Sequence, residues 1–181
     1  QATQTLSGES EGRLPDGANN IVKFPITKTP GKSNYKPIES IVINEVLTHT
    51  DPPYEDAIEL LNLSENPLNI SKWWISNSGS NLQKYQIPDG TIINPRSTLV
   101  FYEGQFNSAP GTDRSFALNS SQGDQVILSA TDNNGKLTGY RIPLEFEAAE
   151  NGISFGRIKT SLGDQFVPLT RPTFGVDSPA S

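Results

Sequence analysis

Gln125-Val126-Ile127-Leu128-Ser129-Ala130, then Asn133-Asn134-Gly135, then Leu137-Thr138-Gly139-Tyr140, is the stretch on which the reading of the fold turns. Two apolar runs flank an Asn-Gly pair, the strongest short hairpin signal, because both central residues of such a turn can take positive φ. The pattern predicts strands over Gln125 to Ala130 and Leu137 to Arg141 joined by a tight reversal. Working outward, the same texture of apolar clusters and turn signals recurs about every 8 to 12 residues, the spacing of a sandwich or barrel. It predicts further strands at Ser40 to Leu47, Ala57 to Asn62, Trp73 to Ser76, Gln83 to Pro88, Thr91 to Ile93, Thr98 to Tyr102 and Ser154 to Arg157. Pro88-Asp89-Gly90 supplies a fixed φ, a side chain able to bond the next amides and a residue free to take φ > 0, so the chain should reverse there. Asn94-Pro95-Arg96 is the next candidate turn. Helical texture is confined to Pro143 to Asn151, around Glu147-Ala148-Ala149-Glu150, one or two turns at most.

Composition agrees with an all-β protein. With 15 glycines and 14 prolines in 181 residues, long helices have little room. No cysteine is present, which excludes disulfides, thiol catalysis and thiolate metal sites, and the single imidazole of His49 is the most any metal site could use. The net charge is -6 and no cluster of Lys or Arg is available to neutralise phosphates, so nucleic acid is a poor partner. No apolar run approaches the roughly 20 residues of a membrane span, so a soluble chain without membrane insertion is expected. The chain opens on Gln1 without a methionine, which points to processing or to a piece of a longer protein.

The length suits one domain with an appendage. Residues 1–37 are polar and broken by glycine and proline, and are expected to form an extended N-terminal arm or linker. Residues 38–176 form the predicted domain and residues 177–181 a short tail. The arm also contains an internal echo. Ser10-Glu11-Gly12-Arg13 followed by Phe24-Pro25-Ile26-Thr27-Lys28-Thr29-Pro30-Gly31 resembles Ser154-Phe155-Gly156-Arg157 followed by Val167-Pro168-Leu169-Thr170-Arg171-Pro172-Thr173-Phe174-Gly175. The copies agree apart from compensating one-residue shifts, so the arm reads as the end of a preceding related repeat.

Several ordered motifs carry a family resemblance: Ile43-Asn44-Glu45-Val46; Asp56-Ala57-Ile58-Glu59-Leu60-Leu61-Asn62 with Ser64; Leu68-Asn69-Ile70-Ser71-Lys72-Trp73-Trp74-Ile75-Ser76; Ile87-Pro88-Asp89-Gly90-Thr91-Ile92-Ile93; Phe116-Ala117-Leu118-Asn119; Gly123-Asp124-Gln125-Val126-Ile127-Leu128; and Ala149-Glu150-Asn151-Gly152-Ile153-Ser154-Phe155-Gly156-Arg157. From about Ile41 to Gly175 the chain resembles the lamin tail domain in the form found in large secreted or surface bacterial proteins. The glycine familiar before the tryptophan is Lys72 here, which bears on the turn geometry. The resemblance implies an immunoglobulin-like β-sandwich that acts as an interaction module without catalytic residues. It also gives Glu45 and Glu59 a structural hydrogen-bonding role. Alternation places Ile58 and Leu60 toward the core, leaves the buried face of Ile41 to Leu47 open, and puts Trp73 with Ile75 on one face and Trp74 on the other. The motif match favours Trp73 as the tryptophan that fills the core.

Chemistry is sparse. The loop His49-Thr50-Asp51-Pro52-Pro53-Tyr54-Glu55-Asp56 collects carboxylates that could hold a calcium ion at Asp51, Glu55 and Asp56, but its spacing fits no calcium loop and it is expected to be solvated, with no metal and no cofactor. Asp132 to Gly135 lacks the later glutamate of a calcium loop and reads as a turn. Asn62, Asn69 and Asn119 each begin an Asn-x-Ser sequon, which matters only if a eukaryote secretes the chain. Trp74, Tyr85, Tyr54 and Tyr102 are the candidate outward aromatics, a platform for sugars or a protein. The expected function is therefore a non-enzymatic interaction or spacer module of a larger extracellular or cell-surface protein, in contact with neighbouring domains of the same polypeptide and with a protein or polysaccharide partner. The alternative is a carbohydrate-binding module using those aromatics. A carboxylate-based hydrolase comes third, since a pair of carboxylates is what glycosidic hydrolysis requires.

Overall fold

In the computed structural model, residues 8–27 and 29–177 are described. The strands are β1 (Ser10–Arg13), β2 (Ile21–Phe24), β3 (Ile41–Leu47), β4 (Ala57–Asn62), β5 (Leu68–Asn69), β6 (Trp74–Ser76), β7 (Tyr85–Gln86), β8 (Ile92–Ile93), β9 (Thr98–Tyr102), β10 (Asp124–Thr131), β11 (Leu137–Phe146), β12 (Ser154–Thr160) and β13 (Gly163–Leu169), with a one-turn helix α1 (Glu103–Phe106) after β9. Five strands in the order β13-β12-β3-β4-β9 form one antiparallel sheet and four in the order β11-β10-β6-β7 form the other. The chain is an immunoglobulin-like β-sandwich, as its motifs imply.

The core lies between the sheets. Ile43, Val46, Ile58, Leu60 and Phe101 from the larger sheet meet Ile75, Val126, Leu128 and Phe146 from the smaller one. Aromatic pairs bridge the sheets at both ends: Phe146 and Phe155 stand 5.9 Å apart, and Tyr85 meets Phe101 edge-on at 5.9 Å, the geometry that ring quadrupoles favour. Both β3 alternatives prove half right, because the β3–β4 register shifts between Ile43 and Glu45. The bulge changes parity, so Ile41 and Ile43 face the core before it and Val46 after it, while Asn44 and Glu45 reach the outer face together.

The Asn-Gly hairpin forms between β10 and β11, but only Gly135 takes positive φ, at 79°, with the Asp132 side chain accepting the amides of Asn134 and Lys136. Pro143 to Asn151 is not helical: β11 continues to Phe146 as an edge strand, where a proline is tolerated. The arm is not simply extended either. β1 and β2 pair as a hairpin that buries Leu14 and Phe24, and the chain then runs along β11, where the Lys36 amide donates to the Gly139 carbonyl and the Arg141 amide to that of Lys36. Lys28 of the echo, residues 1–7 of the arm and residues 178–181 of the tail lie outside the described residues.

Candidate functional site

Tyr54 and Tyr102 come together at one end of the larger sheet. A turn closed by the Tyr54 amide on the Asp51 carbonyl (3.1 Å) presents Tyr54, 76% exposed. Tyr102 ends β9, opposite Ala57 of β4, and is 46% exposed. The loop is tied to α1 from both sides: the Glu103 amide donates to the Asp56 carbonyl at 2.8 Å and the Gly104 amide to Glu55 Oε2 at 2.9 Å. With Leu47, Pro53, Pro172 and Phe174, the two tyrosines line an open, largely apolar cleft of about 680 Å³.

Phe174 belongs to residues 172–177, a strap that crosses the outer face of β3 and β4. That face carries Glu45 and Glu59, register partners on adjacent strands and both buried. Glu45 accepts from Ser154 Oγ (2.6 Å), the Thr173 amide (2.8 Å) and Thr173 Oγ1 (2.7 Å). Glu59 accepts from Asn44 Nδ2 (2.8 Å) and the Gly175 amide (2.5 Å). Burial pushes the Glu59 carboxyl above its ordinary range; the bonds from Asn44, Gly175 and Thr98 act against the shift, and the Glu45 charge adds to it. Asn44 Oδ1 accepts from the buried Arg157, which also pairs with Asp164 at 2.9 Å and with Asp177, so Asp177 joins the sandwich network. These carboxylates hold a strap instead of facing a substrate across a cleft, a saturated arrangement unsuited to general acid and base work.

The loop carboxylates are likewise engaged separately. Asp51 accepts from the Asn151 side chain, Glu55 from Gly104, and Asp56 from Thr50 Oγ1 at 3.1 Å. Among the described residues no three acidic or imidazole groups converge in a way that could hold a metal ion. Burial raises the Asp56 carboxyl to about 6, the Thr50 bond opposing it, the Glu103 charge adding to it and His49 lowering it. His49 sits in the connection itself, its Nδ1 3.1 Å from the Ala149 carbonyl.

The other two candidate aromatics are elsewhere. Trp74 is buried, with the Arg114 guanidinium 4.9 Å from its ring centroid, so it offers no outward surface. Tyr85 is half-buried against Phe101, and burial raises its phenol. Trp73 packs partly buried against the core, on the face shared with Ile75. Sequence reasoning missed Phe174, whose only signal was its place beside the threonine and glycine of the echo. The three sequons are Asx turns: the amides of Ser64, Ser71 and Ser121 donate to Asn62, Asn69 and Asn119 Oδ1 at 2.9, 2.9 and 3.0 Å. Asn62 is fully buried, its amide spanning the carbonyls of Asn66, Ile93 and Asn94, so that spacing serves the backbone.

No helix among the described residues is long and apolar enough to cross a membrane. Comparison with curated proteins and with solved structures gives no match. The family model described as Lamin Tail Domain matches residues 35–142, from the end of the arm into β11, well over half of the chain. Lamin tail domains are immunoglobulin-like, non-catalytic and generally used for protein interaction. The motifs, the two-sheet fold and this match agree, and the chain belongs to the lamin tail domain family.

Proposed function

We propose that this domain is a non-enzymatic interaction or spacer module of a larger extracellular or cell-surface protein, and that it meets its partner at the Tyr54–Tyr102 cleft. The observation that carries this reading is the convergence of two exposed tyrosines with Phe174 in one apolar concavity. Tyrosine offers a large, rigid contact surface at little entropic cost, and aromatic residues are enriched where proteins bind. The engagement of Glu45 and Glu59 in holding the strap argues against the hydrolase reading. The repeat echo supports the larger multidomain setting.

Binding of a polysaccharide is the second reading, favoured by the same pair of rings because tyrosine faces also stack on sugars. The domain, with Tyr54→Ala and Tyr102→Ala beside it, is passed over immobilised polysaccharides and over surface-protein fractions. Retention on protein that both substitutions abolish supports the leading proposal, and tyrosine-dependent retention on polysaccharide supports the second. Binding indifferent to both substitutions removes the cleft from either. Turnover of a glycoside that disappears in a folded Glu45→Gln variant would overturn the non-enzymatic reading.

A further inference from the structure

The residues shared by the two halves of the echo are the ones that close this sandwich. Ser10, Gly12 and Arg13 match Ser154, Gly156 and Arg157, and Thr29 and Gly31 match Thr173 and Gly175, all at a constant offset of about 144 positions. In the C-terminal copy, Ser154 and Thr173 donate to Glu45, the Gly175 amide to Glu59 and Arg157 Nε to Asn44 Oδ1.

The N-terminal copy repeats the order hairpin then turn, with shorter strands and a longer connection, residues 14–20 against 161–162. β1 and β12 each open an antiparallel hairpin, with β2 and β13 as the returning strands. Each hairpin leads to the same turn. The Lys32 amide donates to the Thr29 carbonyl at 3.0 Å with Gly31 at φ 75°, and the Val176 amide to the Thr173 carbonyl at 3.1 Å with Gly175 at φ 87°. The hairpins differ in register: Ser10 faces Phe24, whereas Ser154 faces Leu169, whose counterpart is Ile26. On the Pro25–Pro168 match of the echo, which sits at an offset of 143, that shift is two residues, an even number that preserves side-chain parity. Glu11 stands where Phe155 enters the core, the one clear departure within the shared strand.

Glu45 and Glu59 are already held by the C-terminal copy. In the N-terminal one, Arg13 donates to the Ala18 carbonyl and Thr29 Oγ1 to Asn34 Oδ1, both local contacts. We infer that residues 10–33 are the closing hairpin and strap of a second lamin tail sandwich upstream in the same polypeptide, whose counterparts of Asn44, Glu45 and Glu59 receive Arg13, Ser10, Thr29 and Gly31. This rests on the multidomain part of the proposed function and is independent of the cleft. It also makes the contact with β11 a junction between repeats. Leu14 lies so close that a Cβ at Gly139 would meet its Cδ1 at 2.4 Å, and Arg141 reaches the Ser33 carbonyl at 2.7 Å while its guanidinium covers Tyr35.

The test replaces residues 154–177 of the full chain by a second copy of residues 10–33, an insert of equal length, with Glu11→Phe in the inserted copy to restore the core ring. The expected product melts cooperatively, with Tm lowered by no more than about 10 °C, and a further Thr29→Ala in the insert lowers it by several degrees more, as Thr173→Ala does in the natural chain. A scrambled insert of the same composition is the control. A graft no better folded than the scramble, or one indifferent to Thr29→Ala, overturns the inference. A second measurement needs no graft: in the natural chain, Arg13→Ala and Thr29→Ala should shift Tm by no more than about 2 °C, far less than Arg157→Ala and Thr173→Ala. Equal losses from both sets would assign the hairpin to this sandwich and end the proposal.

Discussion

Glu45 of β3 and Glu59 of β4 stand opposite one another in the strand register, and one strap closes both, through Thr173 on the first carboxylate and Gly175 on the second. Two buried acids therefore act as acceptors for a segment with no ladder of its own. Glu45→Ala leaves the Thr173 amide, the Thr173 hydroxyl and Ser154 Oγ without their shared acceptor, and should cost about 3–5 kcal/mol. Glu45→Gln keeps one acceptor oxygen and should cost about half as much. Urea unfolding of both variants measures the difference; equal losses would mean that the one acceptor oxygen kept by Glu45→Gln contributes nothing.

Stability should decline as pH rises from about 4 to about 7. The Asp56 carboxyl titrates at about 6 in the folded protein against 3.8 ordinarily, so the native state holds its proton to higher pH than the unfolded chain. Glu59 is shifted in the same direction. Asp177 works in the opposite sense. Burial raises it, but its bonds to Lys159 and Arg157 and their charges outweigh burial and lower it, so its contribution is present above the ordinary 3.8 and is lost as pH falls through its lowered folded value. Asp56→Asn can still accept from Thr50 and should add about 1–2 kcal/mol at pH 8, with the gain shrinking below pH 6. Denaturant melts at pH 5 and pH 8 check the slope, and a gain equal at both pH values would deny Asp56 its titration.

Lys72 sits at φ 65°, a left-handed conformation that suits glycine. Its ammonium makes only rim contacts, 3.3 Å from the Asn133 carbonyl and 3.8 Å from Asp89. Lys72→Gly should stabilise by about 0.5–1 kcal/mol, since relief of backbone strain exceeds the few tenths that such exposed contacts provide. Thermal melting decides this, and a lower Tm would show that the side chain contributes more than its exposure implies.

Tyr54→Ala and Tyr102→Ala should each change stability by less than about 0.5 kcal/mol, as expected of exposed positions, while Trp74→Ala should cost about 3–5 kcal/mol. Chemical denaturation of the three variants separates surface from interior. A marginal loss at Trp74 would mean that the Arg114 cover opens readily.

A chain beginning at Tyr35 should still unfold cooperatively and lose about 1–2 kcal/mol, the scale of one apolar side chain returned to water, here Leu14 against β11. Hydrogen exchange would then show new openness confined to the β11 edge. Exchange throughout the sandwich would make the N-terminal hairpin structural to this domain.

Strands β4 and β9 were legible to the residue because long apolar runs end in turn formers, and the Asn-Gly hairpin because its chemistry is local. β13 went unseen: Gly163-Asp164-Gln165 and Pro168 belong to an edge strand, where pairing on one side tolerates polar residues and proline. Two-residue β5 carries no periodicity at all. The β3 bulge defeats strict alternation, which assumes unbroken parity. Trp74 was misplaced because its cover, Arg114, comes from a loop 40 residues away. Tyr54 and Tyr102 could be chosen as aromatics, but their meeting with Phe174 depends on three distant segments, and no local pattern encodes it.

Glu45 and Thr173 are separated by 128 residues, so the bonds that seal the outer sheet join the first strand of the sandwich to its last turn. A chain that emerges from the ribosome, or threads end-first through a narrow channel, cannot seal until residues 173–175 have followed. Before then both glutamates remain hydrated and the central strands lack their final neighbour. Loop closure over that span also places the sandwich among folds whose long-range pairings form slowly. Order of synthesis thus sets order of assembly: the β10–β11 hairpin, whose partners run from Thr131 and Leu137 at its turn to Asp124 and Phe146 at its open end, is local and can form early, and the carboxylate lock closes last.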